Sequence, residues 1–170
     1  THSWAVSDGV NRQDHELVLE CGGLVDYLAE LGLRVGETGS RRKQLEAAFE
    51  LIAVQEFALT ERLLGYLRGR NDCTIFGIPD GKSQNRVATI SFVVEGHDPE
   101  QVCQKLDEYQ IALRFCDFHA RRLAVRRGFS EAHSLLSVSS TPSHTLAAID
   151  RLLRHRDAVV HDTTCHLLRP

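Results

Sequence analysis

Apolar side chains in the first seventy residues recur at steps of three and four, the spacing of one face of an α-helix. The first such stretch begins after Asp14, which can cap a helix N-terminus. We expect it to end at Gly32, because glycine readily adopts the left-handed conformation of a C-cap. The second begins after Ser40 and runs to about Arg70, which predicts a helix of about 45 Å at 1.5 Å per residue. A helix of that length is typical of a connector between two lobes.

From residue 73 onward the pattern changes to short strands alternating with helices. Apolar and polar residues alternate between Arg86 and Val94, which predicts a strand with one apolar face. Asp98 and Pro99 form a strong helix start signal. The remaining segments predict strands at 73–78, 111–115 and 134–139, helices at 119–127 and 143–154, and an edge strand at 158–161. This order predicts an α/β fold in which helices cover one face of a small sheet.

Composition limits the location and the partners of the chain. Its 170 residues are 42% apolar, enough for one domain or a small domain with a helical extension. A net charge of −3 gives no general attraction to nucleic acid or to an anionic membrane. Since the chain has neither an apolar run of about 18 residues nor a signal-like leader, we expect no membrane span and a cytoplasmic location. It also lacks methionine, so we expect a piece of a longer protein or a processed one.

Two blocks of sequence carry a resemblance to a known family. One is R-V-A-T-I-S-F-V-V-E-G at 86–96 together with I-A-L-R-F-C-D-F-H-A-R-R-L at 111–123, and the other is D-H-E at 14–16 ahead of V-D-Y-L-A-E-L-G at 25–32. They resemble the C-terminal domain of class V aminotransferases, in the cysteine-desulfurase-like branch. The resemblance implies the pyridoxal phosphate fold type I, an amino-acid substrate and a homodimer. It divides the chain into the end of a large domain with the first helix at 1–39, a connecting helix at 40–72 and a small α/β domain at 73–170.

The same resemblance indicates which cofactor contacts to expect. The family's cofactor-bearing lysine lies upstream of the matching segment, so Lys43, Lys82 and Lys105 are interpreted as solvent-exposed residues. We therefore expect the chain alone to be inactive and to bind no pyridoxal phosphate, which the complete parent would bind. Asn11-Arg12 replaces the Gly-Thr pair that reaches the cofactor phosphate. Arg12 is then either a phosphate-binding candidate or a loop arginine in solvent.

Two further positions concern the substrate. Ser137 stands where the family has an arginine that binds the substrate carboxylate, and it cannot supply that charge. His119 stands where desulfurases have the attacking cysteine, with Cys116 three residues away. Cys116 and His119 are therefore the candidate substrate-loop residues, and the sequence does not predict desulfuration.

Two alternatives remain open at the sequence level. One is a divergent, non-catalytic relative that acts as a dimerisation or interaction module. The other is a small metal-binding module, since cysteine and histidine are zinc ligands. Its candidate ligands are Cys116 and His119 with His161, Cys165 or His166. The cluster of Arg121, Arg122, Arg126 and Arg127 forms either a solvated basic face or a phosphate contact.

Overall fold

The computed structural model describes residues 12–81, 86–116, 121–126 and 135–167, and the side chains of 12–18, 124 and 161–167 lie outside that description. The elements are α1 (Arg12–Arg34), α2 (Arg41–Arg68), β1 (Cys73–Phe76), β2 (Thr89–Val94), α3 (Pro99–Asp107), β3 (Arg114–Cys116), α4 (Arg121–Arg126), β4 (Leu135–Ser139) and α5 (Leu146–Leu167). The chain forms two compact units that divide inside α2, between Ala53 and Val54.

In the first unit, α1 and the start of α2 form a helical hairpin. Small residues let the helices approach closely, with Ala29 8% exposed and Ala48 fully buried. A β-carbon on Gly32 would lie 2.6 Å from the carbonyl carbon of Gln44, so only glycine fits there. The expected left-handed C-cap at Gly32 is wrong, because the helix continues to Arg34 and the positive φ after its end, 96°, is at Gly36. Gly32 serves close packing instead of helix termination.

The second unit is built on a four-stranded antiparallel sheet with the strand order β1-β2-β4-β3. One face carries the core residues of the two central strands, and α3, α5 and the second half of α2 pack against them. The buried residues are Leu59, Leu63, Leu64, Leu67, Ile90, Phe92, Val94, Val102, Cys103, Leu106, Ile111, Leu136, Val138, Ile149, Leu152, Leu153, Val159 and Val160. The predicted α/β arrangement, with helices covering one face of a small sheet, is confirmed.

The last helix is longer than the sequence suggested. The helix predicted to end at Arg154 continues to Leu167, so the edge strand expected at 158–161 is wrong. Leu152, Arg156 and Val159 recur at helical spacing and are all buried, which continues the apolar face of the helix beyond the predicted end. A strand would have placed alternate residues in the core instead.

The start of α3 follows its sequence signal. Asp98 has extended backbone angles and accepts a hydrogen bond from the amide of Glu100 at 3.0 Å, with Pro99 at the first helical turn. This N-cap confirms the prediction made from Asp98 and Pro99. Among the described residues, none of the helices has the length and hydropathy needed to cross a membrane.

Candidate functional site

The predicted site residues differ in how far the structure describes them. Arg12 is the first residue of α1, but its side chain lies outside the described part of the structure. His119 and Lys82 lie outside it altogether. Cys116 is the last residue of β3 and is exposed. Lys43 is exposed near the start of α2. Of the two substrate-loop candidates, Cys116 is the one within the described residues.

Ser137 lies at the centre of β4, on the sheet face opposite α2, α3 and α5. Its directly opposite partners are Ser91 on β2 and Arg114 on β3. Side chains of directly opposite residues in an antiparallel pair lie on the same face, with β-carbons about 5 Å apart. A polar row therefore crosses three strands as Ser91, Ser137 and Arg114. We call it the serine–arginine row.

The residues beside this row are of two kinds. The neighbouring positions Val93 and Leu135 are buried and apolar. On the other side, the Thr89 and Ser139 hydroxyls lie 3.2 Å apart and form a hydrogen bond with each other. Ser137 is only 8% exposed, whereas Arg114 is exposed. The row therefore runs from a nearly buried hydroxyl to an accessible guanidinium.

Sequence reasoning identified Ser137 but gave Arg114 no role. The only signal was its position in the quoted block at 111–123. Pairing Arg114 with Ser137 requires the strand register, and that register depends on how β3 returns to the sheet. The predicted strand at 111–115 begins earlier than the observed β3, which starts at Arg114.

A cavity of about 260 Å³ lies beside the end of β4 and the start of α5. Among its lining residues are His144 and Arg151. Both are engaged by the chain itself, since His144 Nδ1 accepts from the Thr141 amide at 2.9 Å and Arg151 donates to the Gln110 carbonyl at 3.0 Å. The polar groups of this cavity therefore stabilise the loops around it.

A second polar cluster, which the sequence did not indicate, joins the end of α2, the start of β1 and α5. Arg156 is 2% exposed and donates to Asp72 Oδ2 at 2.8 Å, to Asp157 Oδ1 at 3.2 Å and to the Cys73 sulfur at 2.8 Å. Arg70 donates to the same Asp72 carboxylate at 3.0 Å. Tyr66 donates to Asp157 and packs against both guanidinium groups. We call this set the Arg156 network.

The charges of this network shift the pKa values of its members. Burial alone would raise the pKa of Asp72, but hydrogen bonds from Arg70 and Arg156 outweigh it and hold that pKa well below its usual range. Burial raises the pKa of Cys73 to about 11. Burial and the bond to Asp157 raise the pKa of Tyr66 to about 12. Cys73 is therefore a protonated thiol at neutral pH, which is unsuited to nucleophilic attack.

The sequence also suggested a metal site. Among the described residues, no three His, Cys, Asp or Glu side chains lie close enough together to bind one metal ion. His119, and the side chains of His161, Cys165 and His166, lie outside the described residues. Cys116 faces Leu135 across the strand pair. Of the five ligand candidates, only the side chain of Cys116 therefore falls within the described residues.

Comparison with known proteins relates the chain to one family. The family model for class V aminotransferases matches residues 43–152, which is more than half of the chain. No curated protein matches.

Three solved structures share the fold at low sequence identity. The apo cysteine desulfurase from Thermococcus onnurineus NA1 is 20% identical, with a TM-score of 0.60 over 71% of this chain and 29% of that one. The cysteine desulfurase CsdA from Escherichia coli is 21% identical, with a TM-score of 0.53 over 74% and 32%. The NifS-like protein from Rickettsia africae ESF-5 is 13% identical, with a TM-score of 0.56 over 71% and 33%. The chain thus spans about a third of the length of these structures.

Proposed function

Because the chain belongs to the class V aminotransferase family, we propose that it is the small-domain part of a pyridoxal-phosphate-dependent protein that acts on an amino acid. The observation that carries this proposal is the family match over residues 43–152, which includes α2 except its first two residues, the whole sheet and the beginning of α5. The shared fold with two cysteine desulfurases and a NifS-like protein supports it. We further propose a homodimer in the cytoplasm for the complete protein.

The described residues do not fit the cofactor by themselves. Pyridoxal phosphate needs a lysine amine, a phosphate site and a partner for its ring nitrogen. Lys43 is exposed near the start of α2, and Lys105 lies on α3, away from the lining of the cavity beside β4. We therefore propose that the cofactor lysine belongs to another part of the complete protein and that this chain is inactive alone.

We propose a smaller set of reactions than the family as a whole carries out. We do not propose desulfuration, because His119 stands where the resemblance places the attacking cysteine. An imidazole can transfer protons, but it cannot accept the substrate's sulfur atom as a cysteine thiolate does when it becomes a persulfide. Transfer or lyase chemistry on an amino acid remains the proposal.

Cofactor labelling tests this function. The complete protein and the 170-residue chain are each mixed with pyridoxal phosphate, reduced with borohydride and digested, and the labelled lysine is identified by mass spectrometry. We expect one stoichiometric label in the complete protein, on a lysine outside these 170 residues, and none in the chain alone. A stoichiometric label on Lys43, Lys82 or Lys105 would contradict the proposal, as would an unlabelled complete protein.

An interaction module is the second candidate, and exposed apolar side chains on α1 and α2 favour it. Within the first unit, Tyr27 is 62% exposed and Phe49 57%. Exposed apolar patches mark interaction surfaces when the residues are contiguous. Sedimentation of the chain at increasing concentration tests self-association. A monomer at all concentrations that also fails to bind the rest of the complete protein would contradict this candidate.

A further inference from the structure

The cavity beside the end of β4 lies where the pairing of two strands stops. β3 pairs with β4 only as far as Arg114, which lies opposite Ser137. The next residues of the two segments, 110–113 and 138–140, line the cavity together with His144 and residues of α5 between Ala148 and Leu152. All of these residues belong to the second unit. The cavity is therefore a feature of the fold of that unit.

The inner wall of this cavity is apolar. Four of its lining residues are buried, and they are Ile111, Val138, Ile149 and Leu152. The volume is about 260 Å³. An apolar cavity of about 150 Å³ is enough to bind benzene. The cavity beside β4 therefore has room for one small ring with a short polar substituent.

Two polar side chains of the lining have donors that the surrounding loops do not use. Arg151 donates one N–H to the Gln110 carbonyl at 3.0 Å, and its other donors have no partner among the described residues. The Thr141 amide donates to His144 Nδ1 at 2.9 Å, so the neutral imidazole carries its proton on Nε2. That Nε2 also has no partner within the described part of the chain. None of the described lining residues is acidic.

We propose that this cavity binds a small carboxylate that has an apolar body and no ammonium group. The Arg151 guanidinium matches a planar carboxylate through two parallel hydrogen bonds, and His144 Nε2 donates another. The buried apolar residues surround the rest of the ligand. An ammonium group taken out of water here would lack an acidic partner, which costs free energy.

This site is separate from the position that the resemblance assigns to the substrate. Val138 belongs to the core between the sheet and the helices, whereas Ser137 lies on the opposite face of the sheet. The expected ligand also differs from an amino-acid substrate, because it has no amine. The site therefore goes beyond the proposed function and does not depend on it.

NMR titration of the labelled 170-residue chain tests the site at constant ionic strength. Phenylacetate is the expected ligand, and 2-phenylethanol is its neutral analogue. L-phenylglycine adds an ammonium group to the same skeleton, and inorganic phosphate is an anion without an apolar body. We expect phenylacetate to shift the Leu113 and Ala148 amides in a saturable way and to bind about tenfold more tightly than the other three compounds. No saturable shift with phenylacetate, or equal binding of any of the other three, would overturn the proposal.

A charge variant tests the recognition of the carboxylate. Arg151→Gln should weaken phenylacetate binding by about tenfold and leave the binding of 2-phenylethanol unchanged, because only the carboxylate contacts the guanidinium. Arg154→Gln removes an exposed arginine of α5 that does not line the cavity, and it should leave both affinities unchanged. Equal effects of the two variants on phenylacetate would show that only net charge matters and would refute the site.

A second pair of variants tests whether the ligand enters the cavity. Ala148→Leu should abolish phenylacetate binding, because the larger side chain fills the space while Arg151 is retained. Ala147→Leu changes the neighbouring exposed residue, which does not line the cavity, and should leave binding unchanged. Phenylacetate binding that survives Ala148→Leu would place the ligand elsewhere on the chain and contradict the proposal.

Discussion

At the scale of single residues, the Arg156 network shows what a buried charge requires. Arg156 is 2% exposed, and its guanidinium is surrounded by Asp72, Asp157, Tyr66 and Cys73. Its Nε is the one buried side-chain nitrogen or oxygen without a hydrogen bond in the described part of the chain. Removing one charged member of such a network leaves its partner charged and buried without compensation. The resulting loss of folding free energy exceeds the net stabilisation that the intact ion pair provides.

We expect Asp72→Asn to lower the free energy of unfolding of the second unit by about 2–3 kcal/mol, because Arg156 then loses its shortest carboxylate contact. Urea denaturation followed by circular dichroism measures the change. Arg62→Gln is the matched control, since the Arg62–Asp150 pair is more exposed than the Arg156–Asp72 pair and its loss should cost less than about 1 kcal/mol. Equal losses in the two variants would mean that the buried network has no special role.

The pKa values of this network predict the response to alkaline pH. The pKa of Cys73 rises from 9.0 to about 11 and that of Tyr66 from 10.0 to about 12, mainly through burial. Because the folded state favours the protonated forms, this stabilisation is complete below pH 9 and is lost as pH rises towards 12. We expect the thermal midpoint to fall over that range.

Cys73→Ala should make this fall shallower between pH 9 and 11. Cys21→Ala, which changes an exposed cysteine on α1, should leave the slope as it is. A slope that is the same in both variants would assign the alkaline loss to other groups.

At the scale of helices and strands, the sequence predicts an element correctly where residues close together in the chain determine it. The Asp98-Pro99 start of α3 and the alternating residues of β2 follow from sequence alone. The Arg156 network could not be predicted, because Tyr66, Asp72 and Arg156 come together only after α5 packs. The register of Arg114 with Ser137 likewise depends on a long connection between β3 and β4.

Gly32 gives a test of the helical hairpin. We expect Gly32→Ala to destabilise α1 against α2 by about 1–3 kcal/mol, because the new methyl group would overlap the Gln44 backbone. Gly22→Ala in the same helix meets no atom within 4 Å and should stabilise it by about 1 kcal/mol through helix propensity. Amide exchange of the α1 segment measures both. The same sign for the two variants would contradict the close approach.

The N-cap of α3 gives a second test at this scale. Asp98→Ala should cost about 1 kcal/mol, since the Glu100 amide loses its acceptor, while Asp98→Asn should retain most of the stability. Chemical denaturation of the two variants checks this. If Asn is as damaging as Ala, the effect of Asp98 comes from its charge and not from capping.

At the scale of the whole molecule, burial is distributed unevenly between the two units. The hydrophobic core cluster of the described residues lies entirely in the second unit, starting at Leu59. The helical hairpin of the first unit buries mainly small residues such as Ala29 and Ala48, while larger ones such as Phe49 remain exposed. Since burial of apolar area is the main stabilising contribution, the two units should differ in stability.

The single helix α2 makes this difference measurable, because it crosses the boundary between the units at Ala53. Its second half buries Leu59, Leu63 and Leu67 almost completely, whereas Phe49 in its first half is 57% exposed. Local opening follows the density of buried contacts, so amides at 59–67 should exchange at least about tenfold more slowly than those at 46–53. Hydrogen exchange resolved by mass spectrometry measures the gradient, with β4 as the protected reference. Uniform protection along α2 would mean that the two units unfold together, and the helix would then transmit the stability of the core to the hairpin.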